Sequence, residues 1–412
     1  MPSRSDFSSS PSRPSSLRSS SPPPSPSNDE TVTARYRRLD LLEKEIGKKR
    51  KRNEYAFNLL QQQTTDLVND SPTGPASVTS LGRGFRKIVD LWSDAFILIG
   101  LADQHKHEMR TEEDIDPEID ENDKEEKELR RLAKLERLHA YQAVKIFSTF
   151  VPNFAEAINN PKPEEVKHFL AQIQHSGNDA RGDDIHEMKA GAADWINRWN
   201  PPPDVQLDPN DRAGRGLQHD LCGRLLSSIE HNWDDAEVRA KIRNFEPGFG
   251  LGPLARALYA GYTGSTARVE AGYLRSMMLV KAYQYIFTSP ASARTVNDVA
   301  STLKVNNQVT PRAIAYAAIQ LLFALSSAPH WTDEHEGLDF RNVYYHIVDF
   351  FENVEDDPES KKMAQDLLKW WNRQIFPEAQ LSRANTAGAT ARKLLEEQRA
   401  ARRARAALSD HN

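Results

Sequence analysis

Residues 310–326 read TPRAIAYAAIQLLFALS, and the spacing within them decides the fold class. Thr310 offers a side-chain oxygen to the free N–H groups of a helix start, and Pro311 suits the first turn, where no N–H is needed. Ile314, Ala315, Ala318, Leu321, Leu322 and Leu325 then recur at intervals of three and four, which places them on one helical face. The same period appears on either side. Upstream, Ala271, Leu274, Met278, Leu279, Ala282 and Ile286 predict a core helix that ends by Pro290. Downstream, Phe340, Val343, Tyr344, Ile347, Phe350 and Phe351 outline one helix, and Met363, Leu367, Leu368, Trp371 and Ile375 another. No long apolar pattern alternates as a strand would. The expectation is an all-α protein whose single large core holds about eight to ten helices.

Nearer the N-terminus, Phe85, Ile88, Val89, Trp92, Phe96 and Ile99 follow helical spacing and predict one buried helix through Leu101. An acidic run over 112–128, broken by Pro117, predicts a solvated loop. Leu129, Leu132, Leu135 (or Leu138), Tyr141 and Val144 to Phe150 predict a buried stripe. Two shorter helices are expected over Phe154–Ile158 and Glu164–Ile173, with Pro163 in a first turn. The sequence GNDARGDD at 177–184 reads as a turn in which Asp183 or Asp184 caps the next helix.

Outside the core the composition changes. Residues 1–30 are dominated by Ser and Pro and cannot bury enough apolar surface to offset ordering entropy, so a disordered tail is expected. Residues 31–80 form a basic helical segment and a linker, SPTGPASVTSLGRG at 71–84 being rich in turn residues. The helix there has broken coiled-coil spacing. The core domain spans 81–377 and an Arg-rich tail 378–412. The net charge of −5, from 54 basic and 59 acidic residues, gives no global attraction to nucleic acid. Local runs do: Lys48, Lys49, Arg50, Lys51 and Arg52 are consecutive, and Arg399, Arg402, Arg403 and Arg405 lie on a predicted C-terminal helix. Such cations suit an import receptor, a nucleic-acid backbone or an acidic protein. The tail carries no interleaved aromatics for stacking bases.

One cysteine, Cys222, excludes an internal disulfide framework and predicts a reducing compartment with a buried, inert thiol. No apolar run approaches the ~18–20 residues that span a bilayer, and no secretory signal opens the chain, so no membrane association is expected. The expected location is the nucleus, otherwise the cytoplasm.

Chemistry-bearing residues concentrate in two places. Arg181, Asp183 and Asp184 lie near His186 and Glu187. His219 and Asp220 precede Cys222 and Arg224 within GRGLQHDLCGRLL, where Gly214 and Gly216 permit turns. Together Arg181, Asp183, Asp184, His219, Asp220 and Arg224 would furnish a metal-dependent hydrolase if the two turns met in one cleft. The competing reading makes the aspartates caps and His219 a buried hydrogen-bonding side chain. Around 330–336, His330, Asp333, His335 and Glu336 read as a polar loop. GFGLGPLARALYAG at 248–261 lacks the Gly-Lys-Ser/Thr ending of a phosphate loop. No cofactor is expected. The balance favours a non-enzymatic nuclear interaction protein, with the hydrolase and a helical protein–protein scaffold as alternatives.

Several of these stretches share a further property. GNDARGDDIHEMK with Trp195, RGLQHDLCGRLL with NWDD, GYLRSMMLVKAYQYIFTSP, VTPRAIAYAAIQLLFALSS and LLKWWNRQIF together resemble a domain of unknown function found in proteins of mushroom-forming fungi, over roughly 81–376. Ser227-Ser228-Ile229 departs from the Cys-Pro pair that similar sequences carry after the double leucine, which argues against thiol chemistry there. The resemblance implies kinship and a domain boundary, and no activity.

Overall fold

The computed structural model describes residues 78–111, 124–151, 154–160, 162–288, 308–354, 357–376, 394–395 and 397–399. The expectations for the Ser/Pro tail, the Lys48–Arg52 segment and most of the acidic run fall outside them. Eleven α-helices make up the described core. They are α1 (Val78–Ile88), α2 (Ala95–Thr111), α3 (Lys124–Phe150), α4 (Phe154–Ile158), α5 (Pro163–Asn197), α6 (Asp220–Leu226), α7 (Ala236–Arg243), α8 (Met277–Phe287), α9 (Pro311–Leu325), α10 (Phe340–Glu352) and α11 (Pro358–Ile375). Two-residue strands, β1 (Glu334–His335) and β2 (Leu338–Asp339), pair antiparallel between α9 and α10. Among the described residues no helix is long and apolar enough to cross a membrane.

Helix α9 is the axis of the packing. Thr310 accepts a bond from the Ala313 N–H and Pro311 fills the first turn, as its sequence predicts. Every residue from Arg312 to Leu325 is buried, so the helix is apolar on all sides rather than on one face. Its alanines let α1, α5, α6, α8 and α10 approach it from different directions.

A buried helix must satisfy its end groups inside the protein. At the C-terminal end Arg212 Nη1 donates to the carbonyls of Phe323 (3.3 Å) and Ala328 (3.2 Å), and Arg215 Nη1 to that of Ala324 (2.7 Å). Two cations thus face the negative pole of the helix. At the other end Arg312 sits between α1, α3 and α10. It donates to Glu352 (2.9 Å) and to the carbonyls of Val89 (2.6 Å) and His139 (3.1 Å). Burial opposes the charge on Arg312, but Glu352 and Asp90 outweigh it and raise the guanidinium above its usual range.

A close crossing joins α1 to α5. Gly82 and Gly177 face each other there. A Cβ on Gly82 would lie 2.7 Å from the Ile173 carbonyl oxygen and from Ser176 Cβ, and one on Gly177 would lie 2.9 Å from the Gly82 oxygen.

This crossing corrects the sequence reading. α5 is one helix of 35 residues, not two helices and a turn, and its Gly177 serves helix contact. Asp183 and Asp184 lie within it and cap nothing. The linker assigned to 71–84 gives way to helix at Val78, because Gly82 and Gly84 are buried against neighbours. The single helix expected over 85–101 breaks at Val89–Asp94. Asp90 accepts from the N–H groups of Trp92 and Ser93, and Asp94 caps Phe96. Leu129 and Leu132 are exposed; the buried stripe of α3 starts farther along, with Arg137, His139, Ala140 and Ala143. The expected loop at 330–336 runs into the β1–β2 hairpin, whose Glu336 and Gly337 are both left-handed, the backbone that a two-residue hairpin turn requires.

Candidate functional site

The polar residues singled out by sequence divide into separate structural groups. On α5, Asp184 faces inward. Its Oδ1 accepts from Lys87 Nζ (2.9 Å) and its Oδ2 from the Tyr316 hydroxyl (2.6 Å). Burial and the adjacent carboxylate hold the Tyr316 phenol well above its ordinary range. Asp183, one residue earlier, points outward to Arg83 Nη2 at 3.2 Å. Arg181 lies over the Trp331 ring, 4.7 Å from its centroid, and Trp92 stacks on the same indole. Burial, with Arg86 nearby, lowers the Arg181 guanidinium to about 10.

His219 is the N-cap of α6. Its Nδ1 accepts from the Cys222 N–H (3.2 Å), so Nε2 carries the ring proton and donates to the Val205 carbonyl (2.8 Å). Both ring nitrogens are committed, and no lone pair remains to act as a base. Asp220 does not orient His219. Its Oδ1 accepts from Trp233 Nε1 (3.2 Å) and faces Arg243 (3.5 Å). Arg224 pairs with Asp234 at the surface. Trp233 packs against Gly223, where a Cβ would meet its ring at 2.4 Å. Cys222 is buried, and burial pushes its thiol up to about 12.

The partners of Asp183 and Asp184 are therefore not those of His219 and Asp220. Among the described residues no group of three or more His, Cys, Asp or Glu is placed to hold a metal ion. His335 and Glu336 both meet the Ser327 hydroxyl, at 2.9 and 2.7 Å, and so brace the hairpin. Of the basic candidates, Arg399 is exposed on a short helical stretch. Lys48 to Arg52, Arg402, Arg403 and Arg405 lie outside the described residues.

A cleft of ≈ 520 Å³ opens where the end of α5 meets the start of α8. Trp195, Arg198 and Trp199 line it from the α5 side, Met278 and Lys281 from α8, and Tyr262 from the irregular segment between. Tyr262 has φ +60° and follows Gly261 at +63°. A left-handed tyrosine costs roughly 1 kcal/mol or more, and such strain persists only where surrounding structure holds it. Here its ring packs on Trp199, with centroids 4.8 Å apart. Asp194 pairs with Arg198 at 2.9 Å. Sequence reasoning noted Trp195 only as part of a motif. The one local signal was the clustering of Trp195 and Trp199 beside a proline run, which does not reveal what the tryptophans face.

No curated protein and no solved structure matches the chain. A family model does match, over residues 175–376. The matched segment starts inside α5 and ends one residue past α11, so it contains the cleft, the His219 cap and the axial helix. Over that segment the chain matches the model of DUF6698, a family of unknown function.

Proposed function

We propose that the chain is a non-enzymatic interaction protein. Its helical core acts as a rigid carrier, and its basic segments contact nucleic acid or an acidic protein partner. The observation that supports this reading most is the fate of the groups best suited to catalysis. Both carboxylate oxygens of Asp184 and both ring nitrogens of His219 are spent on internal hydrogen bonds. The uninterrupted Lys48–Arg52 run and the Arg399–Arg405 segment are then the strongest partner-directed chemistry in the chain. In this reading the first run also engages an import receptor and places the protein in the nucleus.

Two measurements test it. Replacing Lys48 to Arg52 by alanine should abolish nuclear accumulation of a fluorescent fusion; unchanged accumulation sinks the import role. Binding to heparin and to duplex DNA should weaken steeply as salt rises, because each neutralised phosphate releases counterions. Affinity that is absent, or indifferent to salt, removes the nucleic-acid role.

A further inference from the structure

We propose that the α5–α8 cleft binds a planar aromatic anion of nucleoside-monophosphate size, its ring against Trp199 and Tyr262 and its anionic group at Lys281. The inference concerns the core and is independent of the basic segments. The cleft's ≈ 520 Å³ falls within the range of small-molecule sites, roughly 300–1,000 Å³. Its chemistry is one-sided. Asp194 is its one carboxylate, and the ion pair with Arg198 neutralises it. Lys281 is exposed and forms no ion pair with a described residue, so the lining carries a net positive charge.

The aromatic wall is also arranged. Tyr262 occupies a backbone region that disfavours side chains, and the Met278 N–H and the Ser276 hydroxyl face its phenol oxygen at the start of α8. Burial outweighs these two contacts and raises the phenol. A strained, anchored ring beside a half-exposed tryptophan presents fixed π-surface at little entropic cost on binding. Aromatic side chains hold any base through its π-face, and a single exposed cation would complement and direct that stacking.

The test uses the full chain and its own tryptophan fluorescence. AMP should quench it saturably with Kd near or below ~1 mM. Adenosine, which lacks the charge, and inorganic phosphate, which lacks the ring, should each bind at least about tenfold more weakly, a difference of ~1.4 kcal/mol. Lys281→Gln should weaken AMP about tenfold and leave adenosine unchanged, while Lys361→Gln on α11 should alter neither. A 5′-phosphorylated adenine tetranucleotide separates the sources. If it binds more tightly than AMP, a strand end is the natural occupant; if more weakly, a free mononucleotide is. Absence of saturable quenching by AMP, equal affinity for phosphate alone, or indifference to Lys281→Gln would each overturn the proposal.

Discussion

Adding one methyl group at each of three glycines should move stability in opposite directions, and the structure sets the order. Gly182 is exposed on α5, and a Cβ there would meet nothing within 4 Å. Gly182→Ala therefore gains only the helix preference of alanine over glycine, about 1 kcal/mol. Gly82→Ala gains the same preference but places its Cβ 2.7 Å from the Ile173 oxygen and from Ser176 Cβ. Ordinary contact needs about 3.5–4.0 Å, so α1 must withdraw from α5 by about 1 Å. That movement loosens the Lys87–Asp184 bond and the 3.1 Å Arg86–Asn178 bond that flank the crossing. Overpacking of this kind costs roughly 1–3 kcal/mol, with the upper end expected because backbone is struck, for a net loss of about 2 kcal/mol. Gly177→Ala falls between, since its two close contacts, the Gly82 oxygen at 2.9 Å and Arg86 Cγ at 3.0 Å, are looser than the pair at 2.7 Å beside Gly82. Thermal unfolding followed by far-UV circular dichroism should rank Gly182→Ala above wild type, then Gly177→Ala, then Gly82→Ala. Each kcal/mol corresponds to about 2–4 °C for a domain of this size. A Gly82→Ala protein as stable as wild type, or a destabilised Gly182→Ala, would refute the crossing geometry.

Three further outcomes follow from buried groups. Asp184→Asn removes the counter-charge of the buried Lys87 and should cost about 3 kcal/mol or more in urea unfolding; a loss under ~1 kcal/mol would mean that Lys87 reaches solvent. Cys222, its thiol raised to about 12, should resist a thiol reagent at pH 8 in the folded protein and react promptly once urea unfolds it; rapid native labelling would contradict its burial. Burial lowers His105 below its ordinary 6.5, Glu108 partly offsetting the shift and Arg137 adding to it. Proton uptake by this residue then favours the unfolded chain. Its stabilising contribution is present above pH 6.5 and is lost as the pH falls below that value, so His105→Gln should flatten the acid side of the stability profile. A profile of unchanged slope would show that other groups set it.

Local chemistry made much of this protein legible from residues alone. Helical spacing identified α8, α9, α10 and α11, because each buries a face whose period is written in consecutive residues. The cap at Thr310 was readable for the same reason: donor and acceptor lie within three residues. The burial of Cys222 and of His219 likewise followed from residue type.

What the tertiary structure decided involves partners distant in the chain. Gly177 read as a turn because glycine weakens an isolated helix; only Gly82, 95 residues earlier, shows that the missing side chain admits a second helix. Asp184 read as a cap or a ligand because Lys87 and Tyr316 are not its sequence neighbours. Nothing in its immediate sequence distinguishes Arg312, although Glu352, Asp90 and two carbonyls hold it in the core. The cleft joins Trp199 to Tyr262 and Lys281 across more than sixty residues, and neither end announces the other. Hydrophobic period and capping act over a few residues and determine the helices; close packing and charge pairing act through space and determine what those helices build.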